Sequence, residues 1–228
     1  MAELTQAPVA RRKLDVRAVG RIKPFLFALG LLPFLRWVWL GFHDGLTANP
    51  IEFLTLSSGT WTLVCLLVTL GITPLRRLTN QPALVRVRRM CGLFTFFYAC
   101  MHFLTWAWWD QDWVLSSMIA DVKHRPFILV GFTAFVLLSL LALTSPQAAM
   151  RAMGRNWQRL HRVIYVIGVL VILHFWWIRA GKNNFEDPII YGSVLIALLG
   201  WRVAERLRRR PASEQIKPAA RSQTAQRG

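Results

Sequence analysis

The chain has 228 residues, 54% of them hydrophobic and 17% charged, with a mean hydropathy of +0.37 and a net charge of +17. That balance excludes an ordinary soluble domain and indicates a membrane protein. Its three cysteines, Cys65, Cys91 and Cys100, form no CxxC or Cys/His pattern, so neither a disulfide framework nor a structural zinc is expected.

Residues 1–23 are polar and basic, with Arg11, Arg12 and Lys13 in a row. They look like the start of a signal sequence, but the apolar run that follows has no A-x-A site, so an uncleaved first span is expected. Six spans are predicted: 24–42, 54–73, 91–109, 126–144, 161–179 and 188–204. Each approaches the length of about 20 residues that crosses a bilayer. Pro24, Pro126 and Pro188 stand at span starts, where a missing N–H costs little. The basic tail at 205–228 has a disordered composition. Domain organisation follows as a cytoplasmic segment (1–23), a six-helix transmembrane domain (24–204) and a cytoplasmic tail (205–228).

Charge sets the orientation. Of 28 lysines and arginines, 23 lie in the N-terminal segment, the 74–90 and 145–162 loops and the region from 202 onward. The alternate loops hold only Lys123, Arg125, Arg179 and Lys182, and seven of the 11 acids. By the positive-inside rule this is an all-α six-transmembrane-helix bundle with both termini cytoplasmic. Tryptophans near span ends, as at Trp106, Trp108, Trp109, Trp176 and Trp177, suit an interfacial belt. Topology accounts for the positive charge, so nucleic acid is not an expected partner; the arginines at 206–210 suit anionic membrane lipid. There is no GxGxxG motif or P-loop, and no internal repeat is evident.

Of five histidines, His43 and His124 lie in or beside outer loops and read as solvated. His102, His161 and His174 lie in or at the edge of spans, where an unpartnered imidazole is costly. Spans three and five run in the same direction. His102 follows Cys91 by 11 residues and His174 follows His161 by 13, rises of about 17 and 20 Å. Two imidazoles at one depth on parallel helices are what a bis-histidine haem requires, with Phe97, Tyr98, Phe103, Trp106, Phe175 and Trp176 as neighbours of its edge. The bland alternative is a pair of packed histidines bonded to backbone carbonyls.

His161 lies near the cytoplasmic face. The matching level on span three holds Arg88 and Arg89, so a second bis-histidine pair is not available there. An inner haem with a different or open sixth position, a flavin or quinone contact, and an interfacial cap all stay open for His161. Arg76 and Arg77, with Arg86, Arg88 and Arg89, close over the cytoplasmic mouth, where they suit haem propionates or a flavin phosphate as well as plain topology.

Several segments carry a family likeness: Asn49-Pro50-Ile51-Glu52, Thr73-Pro74-Leu75-Arg76-Arg77, Arg88-Arg89-Met90-Cys91-Gly92-Leu93, Lys123-His124-Arg125-Pro126-Phe127 and Trp157-Gln158-Arg159-Leu160-His161-Arg162-Val163-Ile164-Tyr165, with His102 and His174-Phe175-Trp176-Trp177. The chain resembles the haem-binding membrane subunits of the periplasmic methionine sulfoxide reductase system, the MsrQ (YedZ) family of the ferric reductase-like transmembrane group. The resemblance implies haem b carried by His102, His161 and His174 in some combination, and FMN as a second cofactor. It also implies residence in the bacterial inner membrane as a multi-pass protein. Electrons would come from quinone or a cytosolic flavin reductase and pass to a periplasmic molybdopterin-containing reductase that repairs oxidised methionines. The alternative is a transporter or other polytopic bundle with structural histidines; it is disfavoured because Arg36 is the one charged residue well inside a predicted span.

Overall fold

The computed structural model describes residues 16–209. The predicted 1–23 and 205–228 segments therefore lie largely outside the described residues. The order is α1 (Val16–Phe42), α2 (Pro50–Leu78), α3 (Val85–Thr105), α4 (Leu115–His124), α5 (Pro126–Leu143), α6 (Gln147–Met153), α7 (Arg155–His161), α8 (Ile164–Ala180) and α9 (Glu186–Arg209), with no strand among the described residues. Six stretches are long and apolar enough to cross a membrane: Gly20–Phe42, Pro50–Leu78, Pro82–Asp110, Pro126–Leu143, Arg155–Ala180 and Glu186–Arg208. They coincide with the six predicted spans. Side chains such as Phe25, Leu143 and Ile196 are at least 70% exposed, which suits lipid and not water.

Helix starts follow local chemistry. Asn49 caps α2: its Oδ1 accepts the Glu52 N–H at 3.2 Å and its Nδ2 donates to Glu52 Oε2 at 3.3 Å, with Pro50 in the first turn. Glu186 and Asp187 occupy the first turn of α9, where the helix dipole favours negative charge. The core lies between α2, α3, α5, α8 and α9, built on Leu63, Leu66, Leu70, Ala134, Leu138, Ile167 and Leu195.

Several boundaries differ from the sequence expectation: α1 starts at Val16, so Pro24 lies inside it and not at a span start, and two other differences have a physical reason. α2 continues through Pro74, past the predicted end at 73. Pro74 has no N–H to give the Leu70 carbonyl, and in lipid that carbonyl needs another donor. Arg202 of α9 supplies it through Nη2, and its Nη1 donates to the Tyr165 hydroxyl at 3.0 Å. The connection before α5 is not irregular either. α3 ends in a π-helical turn, Trp106–Asp110, and α4 follows with apolar Leu115, Met118, Ile119 and Val122 at helical spacing.

The Arg202 brace carries a prediction. Arg202→Gln is expected to destabilise the detergent-solubilised protein by about 1–3 kcal/mol. Pro74→Ala, which restores the backbone donor, should remove much of that loss in the double variant; thermal aggregation midpoints of the four proteins measure the coupling.

A further feature escaped the sequence reading. The α2–α3 pair and the α5–α8 pair are related by a step of 72 residues. It carries Gly59 to Gly131, Thr73-Pro74 to Ser145-Pro146 and His102 to His174. Each histidine also lies 47 residues after the residue whose carbonyl it contacts. No internal repeat is evident from the sequence alone; in the structure the same glycine, carbonyl and histidine contacts recur in the two helix pairs that build the site.

Candidate functional site

His102 and His174 come together. The His102 and His174 ring centres are 6.2 Å apart with planes at 79°. Each ring is fixed in the same way. His102 Nδ1 lies 2.9 Å from the Thr55 carbonyl and 3.4 Å from the Ser58 hydroxyl, and His174 Nδ1 lies 2.6 Å from the Phe127 carbonyl. An imidazole that faces a carbonyl through Nδ1 carries its proton there and presents a bare Nε2. No hydrogen bond among the described residues engages either Nε2.

Glycine makes both placements possible. Each carbonyl partner lies one helical turn before a glycine on the same helix, Thr55 before Gly59 and Phe127 before Gly131. The Nδ1–Cε1–Nε2 edge of the imidazole lies against that glycine. A Cβ on Gly59 would stand 3.2 Å from His102 Cε1, and one on Gly131 would stand 2.7 Å from His174 Cε1 and Nδ1.

The two histidines line one cavity between α2, α3, α5 and α8. On α3 the lining residues Thr95, Ala99, His102, Phe103 and Trp106 fall within about 100° of arc. Phe175 of α8 lines it as well. Phe97, Tyr98 and Trp176, expected beside the same edge, do not line it. Phe97 and Tyr98 fall on the other side of His102 and face α1, where the fully buried Tyr98 donates to the Gly30 carbonyl at 2.6 Å. Trp176 packs on Phe185. The inner lining is apolar apart from hydroxyls already spent on their own helix: Thr62 donates to the Ser58 carbonyl and Thr95 to the Cys91 carbonyl.

Among the described residues, charge enters this cavity only at the end where α3 stops and α5 begins, through Arg125 and Asp110. Arg125 pairs with Asp121 through Nε and Nη2. Asp121 also accepts from Trp106 Nε1 at 2.9 Å and Gln111 Nε2 at 3.2 Å, and Ser117 donates to Gln111 Oε1 at 2.6 Å. Burial opposes the Asp121 charge, but the bonds from Arg125 and Trp106 and the Arg125 charge outweigh it, holding its carboxyl below the ordinary 3.8. The stabilisation is present above that ordinary value and is lost as pH falls through the lowered one. Acid below about pH 4 is therefore expected to open this cluster, while Asp121→Asn should flatten the pH dependence; tryptophan emission during an acid titration reads it.

His161, Arg76 and Arg77 are not part of this cavity. His161 has its Nε2 3.1 Å from the Thr144 hydroxyl and stacks on Trp157 at 4.0 Å, and Trp157 Nε1 donates to the Thr144 carbonyl at 2.8 Å. The step of 72 relates His161 to Arg89, which donates to Ser145 at 3.1 Å. Arg77 pairs with Glu205 at 3.2 Å and lies over the Trp201 ring. Arg76 is half-buried in the last turn of α2. Sequence reasoning missed Gly59, Gly131, Arg125 and Asp121 as parts of the His102–His174 site; the matched Gly-to-His spacing of 43 residues was the signal that could have found the glycines.

Comparison with known proteins agrees with this architecture. Residues 58–173 match the family described as ferric reductase like transmembrane component. A Bordetella pertussis protein named protein-methionine-sulfoxide reductase heme-binding subunit MsrQ is 68% identical over 200 residues, covering 88% of this chain and 97% of its own length. Proteins of the same name from Ralstonia nicotianae and Xanthomonas campestris are 52% and 47% identical, covering 83% and 78% of this chain and 88% and 81% of their own. No solved structure matches the chain. By the extent of these likenesses the chain belongs to the ferric reductase-like transmembrane family, in its MsrQ branch.

Proposed function

We propose that this chain is the haem b-carrying electron-transfer subunit of a methionine sulfoxide reductase system. It passes electrons across the bacterial inner membrane, termini on the cytoplasmic side, to a periplasmic molybdopterin-containing reductase that repairs oxidised proteins. The observation that carries the reading is the anchored histidine pair. The ring centres lie 6.2 Å apart, a separation at which both imidazoles could hold one metal ion between them. Among the described residues no three His, Cys, Asp or Glu side chains cluster to hold a bare ion. A haem would bring its own four nitrogens, so His102 and His174 would be the residues that hold it, between the apolar walls of the cavity.

When bound, the haem supplies a one-electron carrier. The protein's part is to hold that carrier and set its surroundings. The Thr55 and Phe127 carbonyls fix the tautomer and tilt of His102 and His174. Phe103, Phe135 and Phe175 exclude water. For the donor, a membrane quinone gains support from a second apolar cavity of about 510 Å³ between α1, α2 and α3, backed by Ser58 behind His102. A cytosolic flavin reductase is the other donor the likeness implies. FMN rests on the family likeness, with Arg76 and Arg77 as partners for its phosphate and His161 beside them on the cytoplasmic side.

Absorbance of the detergent-purified protein, oxidised and then dithionite-reduced, tests the proposal. Sharp low-spin b-type bands are expected on reduction. A colourless preparation from iron- and haem-replete cells would sink it.

A further inference from the structure

We propose that Arg125 binds a carboxylate of the haem and thereby turns the haem's carboxylates toward the outer surface. This rests on the reading of the His102–His174 cavity as a haem site. Haem carries two carboxylates, and a carboxylate left in an apolar wall without a partner is costly. The inner end of the cavity offers Leu66, Leu138 and Ile167, with its threonine hydroxyls already bonded to their own helices. The outer end offers Arg125, the single lysine or arginine in the lining.

Arg125 is held for that task. It lies at the start of α5 with its guanidinium 5.4 Å from the Phe127 ring centre, and the Phe127 carbonyl anchors His174. Asp121 takes Nε and Nη2, which leaves Nη1 for a second acceptor. Asp121 is itself fixed by Trp106 and Gln111, which are only 9% and 7% exposed, so the guanidinium is aimed before any haem arrives. Asp110, the other charged lining residue, opposes it: its charge repels a haem carboxylate and is offset by Arg125. The rim is thus a placed cation with one carboxylate behind it and one beside it.

The test uses the full-length haem-loaded protein in detergent, with two readouts: haem loss to excess apomyoglobin, and the ferric-to-ferrous ratio at a fixed applied potential. Arg125→Gln is expected to speed haem loss about tenfold and raise the ratio about tenfold, because a nearby cation favours the more negative ferrous state. Arg125→Lys should keep the ratio within about threefold of the parent, since the charge remains while the fork is lost. Asp110→Asn should move the ratio the opposite way. If Arg125→Gln does not fold, Arg125→Lys and Asp110→Asn decide by the same two readouts. Parent-like haem loss and ratio in a folded Arg125→Gln protein overturn the proposal. So does an Arg125→Lys protein whose ratio is displaced by tenfold, which marks a purely structural role. A parent protein that holds no haem overturns instead the reading of the cavity, a result the parent spectrum shows by itself.

Discussion

His102→Ala and His174→Ala are each expected to cut haem affinity by more than about 100-fold and abolish the low-spin reduced spectrum. Both imidazoles face the same cavity with Nδ1 turned to a carbonyl of a neighbouring helix, so each ring also ties two helices together, and thermal aggregation of the apoproteins separates that loss from the loss of a ligand. Loss of either ring leaves the other nitrogen as a lone ligand, and the fold supplies no replacement: among the described residues no further cysteine or histidine lines the cavity. His161→Ala is the contrast. Its ring is tied to Thr144 and Trp157 and lies outside the cavity. The variant should keep the spectrum of the outer centre whatever else it alters. Haem titration of purified apoprotein, followed by reduced-minus-oxidised spectra, measures all three. A His102→Ala protein with parent-like bands, or a His161→Ala protein that loses every band, would refute the assignment.

The helices were legible in the sequence because lipid imposes a simple code. About 20 apolar residues make a span, and the predicted spans and the apolar helices coincide. The pairing of His102 with His174 was also legible, since equal rise along parallel helices needs only counting. What the sequence hid was everything done by backbone. The Thr55 and Phe127 carbonyls that orient the rings belong to residues whose side chains have nothing to do with the task. Gly59 and Gly131 read as ordinary small residues of membrane helices, although the space left by their missing Cβ atoms is what admits the rings. Arg125 looked like one of four outer-loop cations until its network with Asp121, Trp106 and Gln111 placed it at the cavity mouth. The aromatic neighbours were half right for a related reason: proximity in sequence to His102 says little when α3 turns about 100° per residue, so Tyr98 faces α1 while Phe103 faces the cavity.

The step of 72 residues joins these observations. It repeats the scaffold faithfully at the outer level, where glycine, carbonyl and histidine all recur. At the inner level it repeats the Thr/Ser-Pro motif but sets His161 against Arg89. The two halves therefore share a frame and differ in chemistry. Few residue identities survive between them, because packing needs a small residue or an apolar one at most positions and only the site needs a particular atom.

That division predicts a graded response at the two glycines. Gly131→Ala is expected to reduce haem affinity about 100-fold and Gly59→Ala about tenfold, the range found when the support behind a metal ligand is disturbed. At Gly131 the new Cβ would stand 2.7 Å from His174 Cε1 and Nδ1 and 3.1 Å from Nε2. The obstacle is a rigid ring, held at 2.6 Å from the Phe127 carbonyl, so it must turn and give up that bond. At Gly59 the contact is 3.2 Å, and a shift of a few tenths of an ångström relieves it. Gly71→Ala serves as the control, since nothing lies within 4 Å of its new Cβ and alanine favours the helix. Haem titration reports the affinities, and thermal aggregation of the apoproteins separates a displaced ring from a damaged fold. If Gly131→Ala binds haem as Gly71→Ala does, the His174 ring does not rest against α5 and the geometry of the pair must be redrawn.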